Sequence, residues 1–376
     1  MTVVAQLEYI RLQNGFAPLK ALVVSRAFAY SSRHMTKPLS GIKQIAERAG
    51  VHASTVSRVL NPHTRALVSD EVAARVLKIA ESLRYTRNPL AVGLKTRRSS
   101  TVGVIVPDLT NPVVPPLVRA VQRTLEKEGY VTMLADSDGN QETERVILEQ
   151  LRARQVDGLI LATALLKGKT VTACQECDLP FVLVNRTVSD PSVTSVVNND
   201  LQGVHLVVDH LVQLDHRKLA YVGGPLNTST GQARRQGFIA ALKAHRLKVR
   251  EELIVDCASF SVEAGLAAAR ELLQTSKRSF TAIVSANDLL ALGIYDALAE
   301  AGLACPQDIS VTGYNDMPFA SRFHPPVTTL SIQYEEMGVR ASQLLLRKMR
   351  DPDAEVPSVR LEPFLVVRGS TARLAK

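Results

Sequence analysis

Four short or forked polar side chains, Ser54, Thr55, Ser57 and Arg58, crowd into the stretch IKQIAERAGVHASTVSRVLN at residues 42 to 61 of this 376-residue chain. Hydroxyls of this length reach phosphate oxygens or base edges, and a guanidinium forks onto the paired acceptors of guanine. Such groups are useful only if something holds them on one face. Ile42, Ile45, Ala46 and Ala49 recur at helical spacing, as do Val56, Val59 and Leu60, with Gly50 at the turn between them. The apolar stripes can pack together, which leaves Ala53, Ser54, Thr55, Ser57 and Arg58 on the free side of the second helix. Ile42, Lys43, His52, Asn61 and Ser69 flank that face as further expected DNA contacts, and Ser69 opens a third helix. Two amphipathic helices joined at a glycine also occur in ordinary helical bundles.

Charge separates the chain into two parts. The first 98 residues hold 16 Lys and Arg against 5 acids, whereas the rest holds 29 against 31, within a formal net charge of +9. A basic module joined to a nearly neutral body fits a polyanionic partner, with affinity that falls as salt rises. Asn88 before Pro89 starts a further short helix, with Leu90, Ala91 and Leu94 at helical spacing. Gly93 within it costs about 1 kcal/mol relative to Ala, which favours an unfolded linker until a partner binds.

Beyond residue 100 the pattern alternates strand and helix, as in parallel βα units. Strands are expected at 101–106, 131–135, 158–161, 181–184, 218–222, 282–285 and 309–313, with amphipathic helices between them. The chain is 46% hydrophobic, 5% aromatic and without Trp, which fits an aliphatic α/β core. No apolar run approaches the roughly 20 residues of a membrane span. Four cysteines are too few for a disulfide scaffold and fit a reducing compartment. Cys174 and Cys177 have CxxC spacing but lack a second ligand pair nearby, so neither metal nor redox chemistry is expected of them. No Walker lysine loop, GxSxG elbow or HExxH appears, so an enzyme is not expected, nor any cofactor.

The TVSRVLN run with LRYTRNPLA, VGVIVPD, DGLI, YVGGP, ND and DISVTGY, across roughly residues 40 to 372, resembles the LacI/GalR family of bacterial transcription regulators. The resemblance implies an all-α helix-turn-helix headpiece at 39–86, a hinge helix or linker at 87–98 and an effector-binding, dimerising body at 99–376. Residues 1–38 are expected to be a disordered extension. The implied body has the α/β fold of a periplasmic sugar receptor, with two doubly wound parallel-sheet subdomains: about 99–197 with 328–361, and about 198–327 with 362–372. Asn88, Ala91 and Leu94 match hinge positions, the leucine being a minor-groove wedge.

The family's motifs carry effector contacts onto Val113, Val114, Asn185, Thr230, Arg234, Phe260, Asn287, Asp288 and Asn315. Amides, hydroxyls, a forked guanidinium and an aromatic face suit a sugar. Alternatives stay open: Asn185 and Asn315 as helix caps, Phe260 as core, Arg234 paired with an acid. Asn185 and Asn315 stand where many relatives carry Asp, which leaves Arg234 in a cleft short of acids and makes an anionic effector, a sugar acid or phosphorylated sugar, an expectation. Val72 and Ala73 replace a frequent Thr-Arg pair that touches phosphate, and Arg65 in the preceding loop can compensate. The expected function is a homodimeric, cytoplasmic, nucleoid-associated repressor on a palindromic DNA operator. A periplasmic-type solute receptor is the alternative, and would need a signal peptide and no DNA-binding head.

Overall fold

In a computed structural model of the chain, residues 41–61, 64–85, 98–276 and 279–374 are described. The backbone divides into two compact units, residues 1–88 and 89–376. The extension at 1–38 and, apart from Arg98, the linker at 87–98 with Asn88, Ala91 and Leu94 lie outside the described residues.

In the first unit α1 (Ile42–Ala49), α2 (Ala53–Leu60) and α3 (Asp70–Ser82) close around Ile45, Val56, Ala73 and Val76, each 0% exposed. Gly50 ends α1 with φ 64°, a left-handed conformation that any side chain would strain, and its N–H donates back to the last turn. His52 caps α2, its Nδ1 accepting from the Ser54 amide at 3.3 Å. Ala73 is therefore a core residue, while Arg65 sits exposed in the short turn Arg65–Leu67.

The second unit holds β1 (Thr101–Val106), α4 (Val114–Lys127), β2 (Val131–Asp136), α5 (Gln141–Ala153), β3 (Gly158–Leu161), α6 (Thr170–Gln175), β4 (Phe181–Val184), β5 (Ser195–Asn198) and α7 (Asp200–Gln213). It continues through β6 (Leu219–Gly223), α8 (Ser229–Ala244), β7 (Ile254–Asp256), α9 (Val262–Thr275), β8 (Ala282–Ser285), α10 (Asp288–Glu300) and β9 (Ser310–Asn315). Last come β10 (Thr328–Ser331), α11 (Tyr334–Arg350), β11 (Val359–Leu361) and β12 (Phe364–Val366). Strands buried on both faces read as near-continuous apolar runs, and β1 beyond Thr101 and β4 are of this kind.

Two six-stranded sheets result, in the orders β11-β5-β4-β3-β1-β2 and β12-β10-β9-β8-β6-β7. All pairings are parallel except β10 with β12. Sequence periodicity did not resolve β5, β7, β10, β11 or β12; β3 and β4 are as short as β5 but wholly apolar beyond Gly158, whereas SVVN, IVD, TTLS and VRL mix in polar residues and FLV has only three. The division expected at residue 328 is corrected by this topology. Thr328–Ser331 pairs with β9 in the second sheet, so the chain returns to the first only between Ser331 and α11, which packs on α4, β3 and β4.

Three crossings join the two halves, at residues 198–200, 331–334 and 361–364. They are stitched to each other: the Asn199 amide donates to Leu361 O at 2.8 Å, its Nδ2 to Glu362 Oε1 at 3.0 Å, and Gln333 Nε2 to Glu362 O at 3.3 Å.

Candidate DNA-binding face and effector cleft

On α2 the solvent side presents Ser54 and Arg58 exposed, with Ala53, Thr55 and Ser57 half-buried, while Val56 and Val59 face the core. Arg58 has no ion-pair partner among the described residues, so its guanidinium is available to an external acceptor. Lys43 is exposed on α1 and Ser69 exposed at the head of α3, with no side-chain cap bond of its own. Ile42 departs from the expected set: it is half-buried against the three-helix core and contributes packing. Asn61 follows α2 and already has an internal partner.

In the body, the carboxyl ends of the two sheets face a cavity of about 60 Å³. Eight of the nine expected effector positions line it: Val113, Val114, Asn185, Thr230, Arg234, Phe260, Asn287 and Asn315. Their placement follows from βα geometry, in which the residue after each strand opens onto the switch point. Asn185 follows β4 with φ 65° and Asn315 ends β9 with φ 112°, backbone that Asn tolerates better than most residues. Neither caps a helix, and neither amide side chain is used by another described residue. The capping role falls instead to Asn287, whose Oδ1 accepts from the Leu290 amide at 2.8 Å while Nδ2 donates to Phe260 O at 3.4 Å. Phe260 lies close against Gly224, where an added Cβ would meet its ring at 2.1 Å.

Asp288 is the exception. It is 0% exposed and faces away from the cavity, one oxygen accepting from Thr329 Oγ1 at 2.6 Å and the other from the Met317 amide at 2.7 Å. The carboxyl ties the start of α10 to β10 and the loop after β9, and burial pushes it up to about 7. Its expected effector role is withdrawn in favour of this structural one.

Arg234 does pair with an acid. Its Nε donates to Asp200 Oδ1 at 2.9 Å, Nη1 donates to Ala286 O at 2.6 Å, and the guanidinium lies 3.7 Å over the Tyr314 ring. Desolvation opposes its charge, but Asp200 and then Tyr314 more than offset it and hold the pKa above the ordinary arginine value. The remaining N–H groups of the fork are left for the cavity.

Sequence reading missed Pro107, Asn111, Leu117, Ala162, Arg186 and Tyr334 in the lining. Arg186 was within reach, since it adjoins Asn185 at the end of β4. Tyr334 was not, because it arrives through a crossing some 150 residues further on. Burial of the Cys174 thiol, pushed up to about 12, makes it a poor thiolate, and no metal-holding group of His, Cys, Asp or Glu occurs among the described residues.

A three-helix head with an exposed Arg-bearing helix, and a separate two-sheet body with a polar cleft at its strand ends, define a ligand-responsive DNA-binding protein. Comparison with known proteins agrees. Residues 41–88 match the family described as bacterial regulatory proteins, lacI family, and residues 99–365 match the periplasmic binding proteins and sugar binding domain of LacI family. The ribose operon repressor of Escherichia coli (strain K12) is 32% identical over 333 residues, 88% of this chain and 100% of that protein. The transcriptional repressor PurR of Mannheimia succiniciproducens is 30% identical over 338 residues, 90% of this chain and 100% of that protein. Among solved structures, the lac repressor dimer bound to operator and the anti-inducer ONPF has a TM-score of 0.78 at 26% identity, covering 88% of this chain and 99% of that one. A LacI family regulator from Enterococcus faecium with bound ribose gives 0.65 at 31%, covering 73% and 100%.

The chain belongs to the LacI family and is a DNA-binding transcriptional regulator. The relatives are transcriptional repressors. No helix among the described residues is long and apolar enough to cross a membrane.

Proposed function

We propose that the protein is a cytoplasmic, dimeric repressor whose grip on a palindromic operator is set by a small molecule, a sugar or a sugar acid, held in the cleft of residues 99–376. The observation that carries this reading is the cavity lined from both sheets, in a chain that also bears an exposed recognition helix. Two copies of α2 would enter successive major grooves about one helical turn apart, or a multiple of it, with Ser54 and Arg58 at base edges and Lys43 and Ser69 on phosphate. Residues 87–98 would supply the paired hinge helices, with Leu94 between base steps and Asn88 and Ala91 beside it. Regulation is by binding and not by catalysis.

Coupling follows from the cleft's size. Ligand pockets usually measure roughly 300–1,000 Å³, far above the 60 Å³ of this one. In this reading an effector is admitted by parting the two sheets about the stitched crossings at 198–200, 331–334 and 361–364. An effector that prefers one opening of the cleft shifts the population of the DNA-competent arrangement by its differential affinity.

Selection of bound duplexes from a random pool by the full chain tests this. A two-fold symmetric consensus, with affinity changed by a ligand that also raises the melting temperature, is the expected result. Binding that stays indifferent to sequence would refute it.

A further inference from the structure

We infer that the effector carries an acidic group, a carboxylate or a phosphate, and that Arg186 is the side chain that receives it. This rests on the reading of the cleft as the effector site. Two guanidiniums and no carboxylate are among the residues that line the cavity. One of the two is already neutralised, since Asp200 sits behind Arg234 at 2.9 Å. The other is not. Arg186 makes no ion pair or side-chain hydrogen bond among the described residues, although it is half-buried.

Three other buried or half-buried arginines of the body are neutralised, whereas Arg250, half-buried and also without an ion pair among the described residues, does not line the cavity. Arg234, Arg235 and Arg368 each meet a carboxylate, at 2.9 Å from Asp200, 2.9 Å from Asp256 and 2.6 Å from Asp316. Desolvation pulls Arg186 down to about 10; Glu144 opposes this, and the like charge of Arg234 adds to it. Glu144 does not settle the imbalance, because it accepts from Thr163 Oγ1 and stays beyond ion-pairing distance of Arg186. A guanidinium held away from water without a counter-ion is unfavourable until an anion arrives, and a planar fork suits the paired oxygens of a carboxylate or phosphate.

Local backbone aims the group. Asn185 takes φ 65°, and the Arg186 amide donates to Val184 O at 2.7 Å, a tight reversal at the carboxyl end of β4. Asn185 and Asn315 then offer neutral amides where carboxylates would repel the same ligand. The anion-binding role expected of Arg234 on sequence grounds thus moves to the opposite wall of the cleft, from α8 of the second sheet to the end of β4 in the first.

The test uses the full chain and an Arg186→Met variant, with melting temperature and calorimetric titration as readouts. The probes are glucose and ribose against gluconate, glucuronate, glucose 6-phosphate and ribose 5-phosphate. Arg186→Met should melt no lower than the parent, since it removes a charge without a partner. At least one acid should bind the parent more tightly than its neutral counterpart and lose about tenfold or more in the variant. Whether carboxylates or phosphates do so identifies the source of the anion.

A variant that melts well below the parent would make Arg186 a structural residue and overturn the inference. So would a panel in which no acid binds, or a neutral sugar that binds as tightly and survives Arg186→Met. A neutral sugar that binds and alters operator affinity would leave the proposed cleft intact while removing the acid. Binding untouched by Phe260→Ala would remove the cleft reading itself.

Discussion

Removing the carboxylate of Asp200 should be among the most damaging single changes available in the body. Asp200 and Arg234 have side chains only 7% and 4% exposed, so neither charge can turn to water once its partner is gone. Breaking a buried pair from one side typically costs about 3–5 kcal/mol. At about 2–4 °C per kcal/mol for domains near this size, Asp200→Ala should lower the melting temperature by roughly 6–20 °C. Arg234→Ala should fall in the same range, slightly eased because Asp200 occupies the first position of α7, where the helix dipole favours an acid by about 0.3–1 kcal/mol. The double variant leaves no charge behind. It should be more stable than the sum of the two losses predicts, by on the order of 0.5–3 kcal/mol, less whatever the lost bond to Ala286 O and the contact over Tyr314 contribute. Urea melts of the four proteins, followed by circular dichroism, close the cycle. An Asp200→Ala variant within about 0.5 kcal/mol of the parent, or strictly additive losses, would refute the claim that this pair is buried and mutually dependent.

Asp288 gives a pH signature of definite sign. Its folded pKa of about 7 lies above the unfolded value near 3.9, so its contribution is full below pH 4 and is lost as pH rises through 7. Asp288→Asn keeps one acceptor and gains a donor for Thr329, and should remove that slope, as urea midpoints of both proteins between pH 4 and 8 will show. Arg58→Ala should cost about 1–3 kcal/mol of operator binding and relax one base position per half-site, read from selected sequences; a uniform loss would mark a phosphate contact instead. Gly50→Ala meets no atom within 4 Å, so its penalty is backbone strain alone, about 1–2 kcal/mol in the headpiece, visible in amide exchange of α1 and α2.

How much could be read in letters depended on whether the signal was local. The helix-turn-helix was legible because Gly50 and the two apolar stripes specify their packing within twenty residues. β1, β3, β4 and β8 were legible to the residue, since strands covered on both faces read as near-continuous apolar runs. Cleft positions followed once strand ends were known. Asp288 misled for the same reason, because a position beside Asn287 looks like a strand-end residue until the backbone turns its carboxyl toward β10.

By itself, then, the sequence determined the two units, the alternation of strand and helix, the polar outer face of α2 and most of the cavity lining, all of which depend on spacing along the chain. Tertiary structure decided the rest. The short strands β5 and β10, which mix polar with apolar residues, and β11 and β12, of three residues each, are defined by the strands they pair with. Only the folded chain shows that Asp200 satisfies Arg234 from 34 residues away while Arg186, next to Asn185, is left without an acid. Charge balance in a cleft is a property of distances in space, and distances of that kind are not written in the order of residues.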